Sequence, residues 1–123
     1  MSNVTDLILT TATVEPHLPH NHRPLDELNE YLLVKHQTIL MRLDDLAAGS
    51  KGFQAAVYLA ALNYLDLEEF LTVFRNCKWA LPDKVMLLYQ GEHDDGFTVC
   101  VPEGGMVRVG SNVFELKHRR DKR

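Results

Sequence analysis

The residues Asp66-Leu67-Glu68-Glu69, near the middle of the chain, separate two segments with different hydrophobic patterns. An aspartate followed three residues later by a glutamate is a helix-capping pattern, because both side chains can bond backbone N–H groups at a helix start. The apolar residues that follow recur at helical spacing and form one stripe: Leu67, Phe70, Leu71, Phe74 and Cys77. The sequence therefore predicts a helix that starts at Asp66 and a break just before it.

The segment from Phe53 to Leu65 precedes this break and has apolar side chains on every side. Its alanines favour a helix, so periodicity alone does not distinguish a buried strand from a buried helix. We interpret the segment as a central strand buried on both faces, because a helix running through it would conflict with a new start at Asp66. One long helix is the alternative.

The N-terminal third predicts a strand, a helix and a second strand. Val4 to Thr13 is apolar and β-branched and ends at a proline, which is typical of a strand. Pro24 suits the first turn of a helix, and the leucines that follow extend that helix to about Val34. Thr38 to Leu43 is a short apolar run, interpreted as the second strand, and Gly49-Ser50-Lys51-Gly52 as a turn.

The C-terminal third predicts a hairpin and two further strands. Val85 to Tyr89 and Phe97 to Val101 flank a turn rich in Asp and Gly. Glycines then separate two short strands near Met106 to Val109 and Val113 to Leu116.

The resulting order, β-α-β-β-α-β with extra C-terminal strands, predicts an α+β, ferredoxin-like antiparallel sheet with two helices on one face. Residues 1–116 are expected to form a single domain, and residues 117–123 a basic, disordered tail. The other sheet face would need a cover, either a partner such as a second copy in a homodimer or the strands from Met106 to Leu116.

Composition predicts a globular protein of the cytoplasm. Of the 123 residues, 46% are hydrophobic and 24% charged, which is typical of a globular domain. The two cysteines, Cys77 and Cys100, lie within apolar runs and are expected to be buried, reduced thiols. Neither a signal peptide nor a membrane span is apparent, so no membrane partner is expected.

The net charge of −4 is unevenly distributed. The last seven residues carry five basic groups and one acid, which leaves 8 basic and 16 acidic groups in residues 1–116. An acidic body repels nucleic acid and favours a partner protein with a basic surface. Contact with nucleic acid is therefore expected only through the tail.

Three histidines occur within six residues, at His17, His20 and His22. Imidazole is a common ligand for zinc, and three such ligands with one open position would suit a catalytic zinc. The spacing matches no specific metal signature, so an ordinary exposed loop without a cofactor is the simpler interpretation.

Acidic residues form a second cluster. Carboxylates in a hairpin turn commonly serve the backbone of the turn itself. In the predicted fold, however, the turn from Glu92 to Asp95 shares one end of the sheet with the helix that begins at Asp66. That end would carry six carboxylates, those of Asp66, Glu68, Glu69, Glu92, Asp94 and Asp95.

Trp79 follows the central helix in the sequence Lys78-Trp79-Ala80-Leu81-Pro82. Core packing is one interpretation, and a partly exposed indole that anchors a protein interface is the other. The glycines around Lys51 do not follow the order of a phosphate-binding loop, and neither a serine nor a cysteine lies in a nucleophile motif.

These observations favour a small noncatalytic protein-binding domain, such as an inhibitor or immunity protein, that acts through an acidic surface including Trp79. One alternative is a small metal-dependent enzyme that uses the histidine loop. The other is a homo-oligomeric protein that binds a small ligand.

Overall fold

In the computed structural model, the strands and helices follow the order β-α-β-β-α-β-β-β. The structure describes residues 3–19, 23–43, 55–102 and 106–109. The elements are β1 (Val4–Thr11), α1 (Pro24–His36), β2 (Met41–Arg42), β3 (Ala56–Asn63), α2 (Leu67–Asn76), β4 (Met86–Gly91), β5 (Phe97–Cys100) and β6 (Met106–Val109). All paired strands are antiparallel, and the sheet order is β2-β3-β1-β4-β5-β6. The predicted α+β class is confirmed.

The segment before the central helix is a strand, as predicted, but it covers only Ala56–Asn63. The prediction that it is buried on both faces is wrong, because Leu59 is 38% exposed on the side of the sheet without helices. β3 pairs with β1 along its whole length, from Val4 opposite Asn63 to Thr11 opposite Ala56. On its other side β3 pairs with β2. The alternative of one long helix is wrong, because a helix would satisfy these backbone groups internally and leave β1 without its neighbour.

The start of α2 also agrees with the sequence. The side chain of Asp66 accepts a hydrogen bond from the backbone N–H of Glu69 at 3.2 Å, which caps the first turn. Phe70 and Phe74 are fully buried on the predicted apolar stripe. α1 begins at Pro24 as predicted and extends two residues beyond Val34, ending where Gln37 adopts a left-handed conformation.

The second strand is much shorter than predicted. β2 contains only Met41 and Arg42, because the chain before it crosses α1 instead of pairing with the sheet. The backbone N–H of Leu40 donates to the side chain of Asn29 in α1 at 2.9 Å, and Leu40 is buried there. β1 likewise ends two residues before Thr13.

The predicted hairpin of β4 and β5 and the strand β6 are confirmed. The predicted turn at 49–52, strand at 113–116 and tail at 117–123 lie outside the described residues. In the part of the chain that is described, no helix combines the length and apolar character needed to cross a membrane.

The hydrophobic core lies between one face of the sheet and the two helices. We call this side of the sheet the inner face. Alternate residues of the central strands supply it, and the helices supply the opposing layer: Leu7, Leu9, Tyr58, Leu62, Leu87 and Tyr89 pack with Leu28, Leu32, Phe70 and Phe74. Both helices therefore cover the same face, which leaves the opposite, outer face without them.

Candidate functional site

The strand register brings two acidic segments to one end of the sheet. Val4, the first residue of β1, lies opposite Asn63 in β3, and Thr5 lies opposite Gly91 in β4. The last residues of β3 and β4 therefore flank the start of β1, about 10 Å apart at the usual spacing of neighbouring strands. The chain enters α2 from β3 and enters the β4–β5 turn from β4.

We call the residues at this end of the sheet the acidic end: Asp66, Glu68, Glu69, Glu92, Asp94 and Asp95. All six are exposed. The predicted proximity of the two segments agrees with the observed register, whereas a role in partner binding stays a prediction.

Two carboxylates build the β4–β5 turn. The backbone N–H of Gly91 donates to Asp94 Oδ2 at 2.8 Å, and the backbone N–H of Asp94 donates back to the carbonyl of Gly91 at 3.1 Å. Glu92 Oε1 accepts a hydrogen bond from the backbone N–H of Val4 at 2.8 Å. The turn is thereby closed on itself and attached to the start of β1.

Two other carboxylates hold the start of α2. Asp66 is its cap, and Glu69 accepts a hydrogen bond from the Tyr31 hydroxyl at 2.7 Å. The ammonium of Lys35 lies 3.7 Å from the same Glu69 oxygen. Burial, the hydrogen bond to Glu69 and the negative charges of Glu69 and Asp66 all raise the pKa of Tyr31 above its ordinary value. These contacts join α2 to α1.

Glu68 and Asp95 hold neither the β4–β5 turn nor the start of α2 through their carboxylates. Within the described residues, neither carboxylate forms a hydrogen bond or an ion pair. The other four carboxylates remain exposed, and an ionised carboxylate has more acceptor positions than the one or two bonds seen here. The acidic end is therefore open to donors from another molecule.

Tyr64 lies at the same end of the sheet as the acidic end and was not singled out by the sequence analysis. It follows β3, is 65% exposed and has a φ of 55°, which is unusual for a bulky residue. Its backbone N–H donates to the carbonyl of Asn3 at 2.9 Å, which holds the chain in this bend. A sequence signal for such a bend would be Gly or Asn at this position, and Asn63 comes one residue too early.

Trp79 lies in the core, and its predicted place in a binding surface is wrong. Only 6% of the residue is exposed, and its ring centroid is 5.8 Å from that of Phe74. The indole Nε1 donates to the carbonyl of Phe74 at 3.3 Å. This bond allows a large amphipathic ring to be buried at the end of α2, away from the acidic end.

The histidine loop is only partly described. His17 is exposed at the end of a short 3-10 helix, Glu15–His17, while His20 and His22 lie outside the described residues. Among the residues with described positions, no group of three or more metal-binding side chains occurs. Zinc binding by this loop thus stays a prediction.

Glu15, in the loop after β1, is a buried carboxylate that the sequence analysis did not single out. Its Oε2 accepts a hydrogen bond from the backbone N–H of Leu81 at 2.8 Å. Its Oε1 is buried without a hydrogen-bond partner in the described structure. The residue connects the loop after β1 to the segment before β4, at the end of the sheet opposite the acidic end.

Both cysteines are buried free thiols, as predicted. Burial, followed by the nearby carboxylate of Glu27, raises the pKa of Cys77 to about 12. Cys77 is therefore protonated at neutral pH, which suits a packed side chain and not a nucleophile.

Comparisons with protein-family models, with curated proteins and with solved structures found no match to this chain.

Proposed function

We propose that this chain is a noncatalytic protein-binding domain whose acidic end contacts a basic surface of another protein. The observation that supports the proposal is the strand register, which brings the two segments that carry six exposed carboxylates to the same end of the sheet. A blocking protein, such as a cytoplasmic inhibitor or immunity protein, is the subclass that suits a small domain with this surface.

Electrostatics supports a joint action of the two acidic segments. The strand ends that lead into them are about 10 Å apart, only slightly more than the Debye length of about 8 Å at physiological ionic strength, so salt screens their combined field only in part. Such a field accelerates association with a basic surface and disfavours acidic partners. Lys35 neutralises part of this charge at Glu69.

Tyr64 adds a contact of a different kind. This exposed aromatic residue, two positions before Asp66, can receive an arginine side chain, because a guanidinium stacks on an aromatic ring and its N–H groups can also bind a carboxylate. Its bend is held by the bond to Asn3, which limits the backbone entropy lost on binding. An arginine-rich surface is therefore the proposed complement.

We also propose that the first four strands and two helices form a ferredoxin-like arrangement. The order β4-β1-β3-β2 with antiparallel neighbours supports it. In this arrangement β1 is central, and both flanking strands end beside its first residues. The acidic end would then be a product of the topology itself.

The experiment is affinity capture from a host lysate followed by measurement of the dissociation constant and the association rate for the captured protein. The test variant is Glu68→Gln with Asp95→Asn, which leaves intact the carboxylates that hold the turn and α2. We expect binding weakened about 10-fold or more, mainly through slower association, and a weaker dependence of that rate on salt.

The matched control is Glu30→Gln with Asp83→Asn, which removes the same charge from exposed residues in α1 and in the 3-10 helix Pro82–Lys84 before β4. It should bind like the unmodified chain. Equal weakening in both double variants would indicate a response to net charge alone and would contradict a site at the acidic end.

A further inference from the structure

A continuous row of apolar residues crosses the outer face of the sheet. The strand registers place Met41 opposite Leu59, Leu59 opposite Ile8, Ile8 opposite Leu88, and Leu88 opposite Val99. The backbone of β6 continues the same row at position 107. The apolar residues of the row therefore belong to the five strands β1 to β5.

The helices leave this row uncovered. Met41 is 69% exposed and Leu59 is 38% exposed, while Ile8, Leu88 and Val99 are half-buried by their neighbours in the sheet. An antiparallel sheet that faces water usually presents polar residues on that side. Among the outward-facing residues of β1 to β5, the single charged one is Asp6. The face is therefore apolar and nearly neutral on an otherwise acidic chain.

The surface of the face is grooved and not flat. A shallow groove of about 370 Å³ lies beside the row, and its lining includes Asp6, Ile8, Met41, Leu59, Ala61 and Phe97. A groove bordered by exposed side chains such as Met41 and Leu59 can receive protruding apolar side chains from a facing surface.

The strand and the segment that follow β5 are poor covers for this face. β6 was predicted to contribute to the cover, but it extends the edge of the sheet beside β5. In sequence, residues 110–123 hold three large apolar side chains, Val113, Phe114 and Leu116, against seven charged ones. Laying that segment on the face would bring charges against an apolar surface.

We propose that the outer face is the interface of a symmetric homodimer, in which the outer face of a second copy covers it. A row of like apolar residues is self-complementary, as a twofold interface requires. The acidic end lies at the strand ends, off the centre of this face, so two acidic protomers can approach through faces on which β1 to β5 present one charged residue, Asp6.

The area of the face suits a weak, reversible dimer. Strands β1 to β5 contain 28 residues, which at the usual rise and strand spacing present roughly 450 Å² per protomer. Two facing sheets would remove on the order of 900 Å² from water, which is in the range of transient protein interfaces. An apolar patch of this size on a protein surface is often functional.

The test is the mass of the full chain in solution, measured by sedimentation at concentrations up to about 100 µM, a range that detects micromolar dimers. We expect twice the chain mass of 14.0 kDa. Leu59→Lys and Ile8→Lys should each weaken the dimer about 100-fold or more, because the twofold axis places two added ammonium groups among the facing apolar side chains. Met41→Lys, at the edge, repeats the test with little effect on folding.

The matched control is Val34→Lys, which places the same charge at an apolar residue of α1 that is 75% exposed. It should leave the mass doubled, and circular dichroism checks that every variant is folded. A monomeric unmodified chain at the highest concentration, or a dimer that all three face variants leave intact, would overturn the proposal. Glu68→Gln with Asp95→Asn should not change the mass, so this proposal and the partner-binding proposal fail separately.

Discussion

The two faces of the sheet are built by alternate residues of the same strands, yet they differ in what covers them. On the inner face, Leu7, Leu9 and Leu87 are at most 1% exposed beneath the two helices. On the outer face, Ile8 and Leu59 occupy the intervening positions and meet no helix. Similar apolar side chains therefore have different surroundings: the inner set stabilises the fold of one chain, whereas in the proposed dimer the outer set would gain further burial from a second copy.

The largest expected difference between the faces is in stability. Leu9→Ala should lower the free energy of unfolding by about 2–5 kcal/mol, because it opens a cavity in a packed core. Leu59→Ala should lower it by less than about 1 kcal/mol at concentrations where a dimer dissociates, since the side chain is already partly in water. Urea unfolding of both variants at low micromolar concentration measures the difference.

Raising the protein concentration sharpens this comparison. If the outer face forms a dimer, the unmodified chain should become more stable with concentration, and Leu59→Ala should lose part of that gain. Leu9→Ala should retain it. Equal losses for Leu9→Ala and Leu59→Ala in dilute solution would mean that the outer face is already covered within one chain.

The core on the inner face should also affect stability at alkaline pH, because it contains the thiol of Cys77. The pKa of this thiol is raised from 9.0 to about 12, so the folded chain keeps a proton that the unfolded chain loses. The folded state then binds more protons, and the free energy of unfolding must fall as the pH rises through this interval. The slope from this group is at most about 1.4 kcal/mol per pH unit.

The free energy of unfolding, measured at a series of pH values from about 8.5 upward, tests this expectation. Cys77→Ala should flatten the slope, whatever it does to stability at neutral pH. The raised pKa of Tyr31 contributes in the same direction, so Tyr31→Phe should remove a further part. A slope unchanged in both variants would show that neither proton is retained by the fold.

The sequence contained enough information for the inner layer and too little for the edges. The cap at Asp66 and the stripe through Phe70 and Phe74 are local patterns, and the structure agrees with them. The length of β2 was overestimated, because a short apolar run does not show whether its backbone pairs with a sheet or bonds to a helix side chain. Pairing depends on a neighbour distant in sequence, which propensity does not encode.

The sequence likewise predicted only part of the candidate site. Proximity of the two acidic segments followed from the order of elements, whereas the burial of Trp79 and the bend at Tyr64 depend on contacts with Phe74 and Asn3. The apolar row on the outer face also escaped sequence reasoning, because it requires the register of every strand pair. A shift of one residue in any pair would move that strand's apolar residues to the other face.

The smallest expected effect is a difference in the free energy of unfolding between variants of two acidic-end residues, Asp66 and Glu68. The two residues differ in how they relate to the helix layer on the inner face. Asp66 caps the helix whose Phe70 and Phe74 fill that face, whereas the carboxylate of Glu68 faces water. Asp66→Ala should lower the free energy of unfolding by about 1 kcal/mol, the usual value of a helix cap. Glu68→Ala removes the same charge and should change it by less than about 0.5 kcal/mol.

Asp66→Asn distinguishes the capping bond from the charge. Asparagine keeps an oxygen that accepts from the Glu69 N–H, so this variant should recover most of the stability lost in Asp66→Ala. Thermal and urea unfolding of the three variants give the comparison. If Asp66→Asn were as unstable as Asp66→Ala, the carboxylate would stabilise α2 through its negative charge at the helix start. Asp66 would then support the helix layer on the inner face by charge and not by its hydrogen bond.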